Sequence, residues 1–259
     1  KLIPNVLRET INTRELCVSP KNPVLPTSAT GIDKENRFLY LENGSVLQYD
    51  YLVLAPGSEV ADYNIPGVKT HTHFLKTLED LEKLRTALQG GSNRVVIMGA
   101  GPTGIELAFE LSKFHNVSLV EAAPTILPTS SQKTQYYIRE QLEKYKIALH
   151  VNTVVKSVAE KEICTSNGPL AYEVAIWNCG VKRNSAFATY RQEWADEFGI
   201  FAIGDYVASK ENGPPTAQNA RAQGMHLAKY FNAGFQGKPY KYEDRGKLIH
   251  TRDEIVWDT

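Results

Sequence analysis

Apolar residues along the chain alternate between short continuous runs and longer stretches at helical spacing. Arg94-Val95-Val96-Ile97-Met98 is branched and apolar at nearly every position, which predicts a strand buried on both faces. Residues 105–114 carry the apolar pattern of a helix packed on a sheet, and residues 117–120 predict the next strand. Upstream, Thr77-Leu78-Glu79-Asp80 has the Thr-x-x-Asp form of a helix start. Leu78, Leu81, Leu84 and Leu88 follow on one face and Gly90-Gly91 closes the segment, predicting a helix of about three turns. Downstream, a helix is expected over 132–146, a strand over 147–151, and short strands around 154–158 and 173–177.

The flanking regions read less regularly. Residues 45–54 end in Leu52-Val53-Leu54 and are broken by Ala55-Pro56-Gly57, the pattern of a buried strand entering a turn, while Ile65-Pro66-Gly67 marks a linker. Residues 199–203 predict a further strand that stops at Gly204-Asp205. Pro214-Pro215 is then expected to open a helix reaching about Asn232, before Gly234. Strands alternate with helices, so the fold class is α/β with a mainly parallel sheet.

Composition narrows the function without naming it. A chain of 259 residues exceeds what one core of about 250 residues usually organises, so two compact units are expected. Lys+Arg 29 balance Asp+Glu 29, which argues against nucleic acid as a partner. Cys17, Cys164 and Cys179 form no C-x-x-C pair, so no metal site, disulfide framework or dithiol centre is expected. No apolar run approaches the roughly 18 residues of a membrane span, and residues 1–20 lack the regions of a signal peptide.

The chemistry concentrates at Gly99-Ala100-Gly101-Pro102-Thr103-Gly104, a G-x-G-x-x-G string that follows a strand and opens a helix. Gly99 permits the tight turn, Gly101 lets the backbone approach a pyrophosphate, and Gly104 lets helix and strand pack closely. Free amides at the helix start add partial positive charge. Glu121 lies 22 positions after Gly99, at the end of the next strand, where a carboxylate accepts hydrogen bonds from ribose hydroxyls and repels a 2′-phosphate. The site therefore predicts NADH rather than NADPH.

Around this unit the residues resemble the FAD/NAD(P)-binding pyridine nucleotide-disulfide oxidoreductases, and within them the type II (alternative) NADH:quinone oxidoreductases. Residues 99–108 and Val120-Glu121-Ala122-Ala123-Pro124-Thr125-Ile126-Leu127-Pro128 are similar to that family beyond the general dinucleotide pattern. Residues 49–57, YDYLVLAPG, resemble the family's "YDYLVIATG" segment, with Pro56 in place of the usual Thr, and residues 176–182, IWNCGVK, resemble its "IWAAGVK" strand end. Phe201-Ala202-Ile203-Gly204-Asp205 is similar to the second FAD motif, and residues 215–224 to the "PTAQxAxQQG" helix, with Ala222 replacing the first Gln of its Gln pair.

The resemblance implies a Rossmann-like fold of two dinucleotide domains, the NAD domain inserted in a partial FAD domain. Residues 1–70 and 186–259 are then the two FAD parts, and residues 71–185 the NADH-binding domain. Gly180 joins Gly99, Gly101, Pro102, Thr103, Gly104 and Glu121 at NADH, while Ala55, Gly57, Gly204, Asp205, Ala217 and Gln218 belong to FAD. Glu106 is implied near flavin and nicotinamide, and Gln218 and Gln223 at the edge of a quinone pocket. A helix start facing the flavin stabilises the negative charge of its reduced form.

What this implies is a flavoenzyme that passes a hydride from NADH to FAD and electrons on to a quinone, without pumping protons. Its partners are then NADH, a quinone, a membrane surface at the mitochondrial inner or bacterial plasma membrane, and a homodimer or larger respiratory assembly. Two other readings stand beside it: a soluble NADH oxidoreductase like apoptosis-inducing factor, and an inactive relative kept as a structural subunit. Residues 2–8 resemble the stretch after the family's first FAD unit, so that unit and the C-terminal membrane-attachment helices are expected to be missing from this chain.

Overall fold

In the computed structural model, residues 23–187 and 198–258 are described; the resemblance at residues 2–8, Cys17 and the stretch 188–197 lie outside them. Strands β1 (Ala29–Asp33), β2 (Phe38–Leu41), β3 (Val46–Gln48), β4 (Leu52–Leu54) and β5 (Ser58–Val60) come first. Helices α1 (Val68–His71) and α2 (Leu78–Ala87) lead to β6 (Arg94–Met98), α3 (Pro102–Leu111), β7 (Asn116–Val120), α4 (Gln132–Lys144) and β8 (Ala148–His150). Then follow β9 (Val155–Ala159), β10 (Glu162–Thr165), β11 (Gly168–Ala171), β12 (Val174–Trp177), β13 (Val181–Arg183) and β14 (Ile200–Ala202). Helix α5 (Ala217–Asn232) and the hairpin β15 (Lys247–His250) and β16 (Ile255–Asp258) complete the order.

Among the described residues the chain divides into two compact units, one of Val60–Gly180 with the residues from Arg245 on, the other of residues 23–59 with Val181–Asp244. The boundaries expected after residues 70 and 185 therefore lie eleven and five residues beyond the structural ones, and the β15–β16 hairpin belongs with the first unit. The cause is Ile249 of β15, fully buried against α3 and the core around it.

The first unit is built on a four-stranded parallel sheet in the order β12-β6-β7-β8. Because side chains alternate along a strand, Val95, Ile97 and Leu119 enter one core while Val96, Met98 and Val120 enter another. Helix α3, Leu84 of α2, and Ile138 and Leu142 of α4 cover the first face. Truncating a side chain as enclosed as Ile97 to Ala costs about 2–5 kcal/mol. Thr77 and Asp80 form the capping box that starts α2, a gain of about 1 kcal/mol.

The other face is covered by an antiparallel meander, β9-β10-β11, which brings Val158, Ile163 and Tyr172 onto Trp177. Expecting strands to alternate with helices throughout missed it: β10 and β11 are short, half exposed and lack the apolar run of a buried strand. The Pro66-Gly67 linker is also fixed more firmly than a linker, since Pro66 O accepts the Val158 amide at 2.9 Å.

The second unit holds an antiparallel β1-β2-β3 sheet and the parallel pair β14-β4. The strand expected across 45–54 is therefore two: Val46–Gln48 is exposed and pairs with β2, and Leu52–Leu54 pairs with Ile200–Ala202. Helix α5 begins at Ala217, because the Thr216 side chain accepts the Asn219 amide; Pro214-Pro215 precede the cap rather than open the helix.

Candidate functional site

The glycine turn stands at the carboxyl end of β6. Gly99 has φ +102°, and a Cβ there would lie 2.4 Å from the Asn178 carbonyl oxygen. A Cβ on Gly104 would meet the Gly99 carbonyl oxygen at 2.0 Å, so helix and strand touch backbone to backbone. A Cβ on Gly101 would meet nothing within 4 Å. Two of the glycines are thus required by the protein itself, and the third opens on space. Gly101 caps α3, Pro102 occupies its first turn without needing an acceptor, and Thr103 follows on the same turn. The amides of that turn have no acceptor within the helix, which suits an anion.

Glu121 closes the arrangement. Its two carboxylate oxygens accept the Ala100 amide at 2.8 Å and the Ala123 amide at 2.9 Å. Each oxygen has two lone pairs, so the carboxylate retains acceptor capacity for a hydroxyl while the backbone holds its position. At the end of neighbouring β12, Trp177 is buried with its indole N–H donated to Ala61 O at 2.8 Å, a core residue. Gly180 has φ +100° and is exposed, its carbonyl accepting the Ala61 amide at 3.2 Å. Burial, then the nearby Glu121 charge, push the Cys179 thiol up to about 12, so at neutral pH it stays protonated.

Two residues implied near flavin or quinone are buried and have hydrogen-bond partners within the protein. Glu106 is 2% exposed and its carboxylate accepts the His250 amide at 3.1 Å, joining α3 to the β15–β16 hairpin. Gln223 is 1% exposed; its Oε1 accepts the Gly204 amide at 2.6 Å and its Nε2 donates to Asn212 O at 3.1 Å. A buried amide with both ends engaged is a latch on the Gly204 turn. Gln218 and Ala217, by contrast, are exposed on the first turn of α5.

The second unit presents a separate constellation. Gly204, at φ +76°, starts a tight 3-10 turn through Val207, and Asp205 Oδ2 accepts the Ser58 hydroxyl at 2.8 Å. Pro56 O and Gly57 O both accept from Asn184, at 3.2 and 3.3 Å, so the Ala55-Pro56-Gly57 turn is held despite the Pro, with Ala55 exposed beside it. A cavity of about 330 Å³ is lined by Ser58, Arg183, Asp205, Ser209, Pro214 and others of this unit. Ser58 and Arg183 were not singled out in the sequence. Ser58 directly follows the Ala-Pro-Gly turn, a signal that becomes readable only once Asp205 is brought beside it.

These residues fit the ribityl and ring half of a flavin, since they offer a fixed carboxylate acceptor and a helix of 16 residues starting nearby in sequence. A group to hold its pyrophosphate is not found among the described residues. Among the same residues no group of three or more His, Cys, Asp or Glu is arranged to hold a metal ion, and no helix is long and apolar enough to cross a membrane.

Comparison with known proteins gives this arrangement its context. The family model described as pyridine nucleotide-disulphide oxidoreductase matches residues 22–224. The external NADH-ubiquinone oxidoreductase 2 of Saccharomyces cerevisiae mitochondria is 29% identical over 81% of this chain, which spans 48% of that protein. The type II NADH:quinone oxidoreductase of Haemophilus influenzae is 26% identical over 78% of the chain and 60% of its own length. The chain thus spans about half to three-fifths of these relatives. Among solved structures, the NDH2 of Plasmodium falciparum in complex with NADH superposes with a TM-score of 0.84 over 99% of this chain and 82% of its own, at 18% identity. At that identity the likeness establishes the fold.

Proposed function

Because the chain belongs to the pyridine nucleotide-disulphide oxidoreductase family, we propose that it is the NADH-binding and part of the FAD-binding portion of a type II NADH:quinone oxidoreductase. One observation carries this reading. A single chain holds, in two separate compact units, a dinucleotide turn closed by Glu121 and a Gly204-Asp205 turn held by Ser58 and Gln223.

In this reading Gly101 and the first turn of α3 receive the pyrophosphate of NADH, and Glu121 accepts the hydroxyls of its adenosine ribose. Gly180 and its neighbours border the nicotinamide. FAD, when bound, supplies the two-electron acceptor that takes a hydride and releases electrons onward. Asp205, with Ala55, Gly57, Ala217 and Gln218, would hold its ribityl and ring half. The protein's part is to bind and orient, with Asp205 as a fixed acceptor; no side chain has to move a proton in the hydride step.

For the acceptor, the reading rests on the proteins to which the chain is similar. The named relatives take ubiquinone or quinone. A peripheral membrane location, mitochondrial or bacterial, and assembly as a dimer or larger complex belong to the same proposal.

The test is spectroscopic. The full-length protein is expected to carry flavin whose visible absorbance bleaches on anaerobic addition of NADH and returns on addition of a short-chain ubiquinone. Flavin that NADH leaves oxidised, or purified full-length protein with no flavin, would overturn the reading. Reduction of generic dyes with no preference for quinone would point to a soluble oxidoreductase instead.

A further inference from the structure

Strands β12 and β6 run in parallel register, Trp177 opposite Met98, so Asn178 and Gly99 leave the sheet side by side. The Asn178 amide donates to Met98 O at 2.8 Å, and its own carbonyl presses against Gly99. Its side-chain Nδ2 lies 3.2 Å from where a Gly104 Cβ would be, against the first turn of α3. The carboxamide is partly exposed and makes no hydrogen bond to another described residue. A carboxamide with one donor group and one acceptor thus stands at the dinucleotide turn with its capacity unspent.

The sheet order says which part of a dinucleotide it meets. Glu121 ends β7, on one side of β6, and Asn178 ends β12, on the other. Ligands of such sheets bind outside the carboxyl ends of the strands. With the adenosine ribose on Glu121 and the pyrophosphate over Gly101, the other half must cross β6 toward β12. The distance is two strand spacings, about 10 Å, well within an extended dinucleotide.

We propose that the Asn178 side chain hydrogen-bonds the nicotinamide nucleoside half of NADH and positions it. The proposal rests on the reading of Gly99–Gly104 as the NADH site. It gives that site a second polar anchor opposite Glu121, one that senses whether the nicotinamide half is present.

Calorimetric titration of the purified protein with NADH and with ADP separates the two ideas. For Asn178→Ala, the NADH dissociation constant is expected to rise about five- to tenfold, the size of one hydrogen bond lost from a desolvated site, while ADP binding stays within about twofold. Asn178→Leu, close in volume, is expected to show the same NADH loss with the melting temperature of the parent, which removes loop packing as the cause. Equal weakening of NADH and ADP by both variants assigns Asn178 to loop packing and overturns the proposal, as does unchanged NADH binding. Parent protein that binds neither ligand overturns instead the NADH site on which the proposal stands.

Discussion

The carboxylate of Glu121 accepts the amide hydrogen of Ala100 at 2.8 Å, tying the end of β7 to the turn that follows β6. Two segments 21 residues apart are thereby locked at the point where a nucleotide would lie across both. A second bond to the Ala123 amide fixes the carboxylate's rotation as well.

Replacing it by Gln retains the shape but removes the charge and half of the acceptors. Glu121→Gln is expected to weaken NADH binding by about tenfold or more, since hydrogen bonds to a charged group contribute about 1.5–3 kcal/mol. It should also narrow the preference for NADH over NADPH, because the repulsion of a 2′-phosphate disappears. Dissociation constants for both nucleotides check this; an unchanged ratio would remove Glu121 from nucleotide discrimination.

The two glutamines of α5 should separate cleanly. Gln223→Ala leaves the buried Gly204 amide without its partner, and is expected to cost about 1–3 kcal/mol of stability and to loosen flavin retention at the adjoining Asp205. Gln218→Ala, on an exposed helix turn, should shift stability by no more than about 0.5 kcal/mol. Any effect of Gln218→Ala would then appear in the quinone KM, which steady-state kinetics with a quinone series would reveal.

Cys179 titrates late because burial disfavours its thiolate and Glu121 adds to the effect. A folded-state value raised from the ordinary 9.0 to about 12 contributes stability that is full below 9.0 and is lost as pH rises through 12. In the native protein iodoacetamide at pH 8 should label Cys164, which is exposed, and spare Cys179. Mass spectrometry of the labelled peptides decides; rapid labelling of Cys179 would mean its turn opens to solvent.

Asp258 closes the β15–β16 hairpin onto the start of α4. Burial alone would raise its carboxyl, but the hydrogen bonds it accepts, from the Ser131 amide at 3.1 Å and the Thr134 hydroxyl at 2.9 Å among them, hold it below the ordinary 3.8. Its contribution is therefore present above 3.8 and lost as pH falls through the lower folded value. Hydrogen exchange across residues 247–258 should accelerate below about pH 4 in the parent. In Asp258→Asn the exchange should already be faster at neutral pH and lack that acid step.

What the sequence determined by itself is local. The run Val95 to Met98, the spacing of Gly99, Gly101 and Gly104, and the carboxylate at Glu121 specify a strand, turn, helix and strand, because their constraints act between residues close along the chain. The Thr77–Asp80 box follows from the same kind of rule. Tertiary structure alone decided who meets whom across long separations. Glu106 finds an amide 144 residues away, Ser58 finds Asp205 across 147, and Gln223 turns inward to Gly204 rather than outward. The strands β10 and β11 belong to this second class too, since half-exposed strands carry little apolar signal of their own and are held by the neighbours they pair with. A polar side chain's type states what it is able to bond; only the folded path, by burying it beside a particular partner, determines which bond it makes.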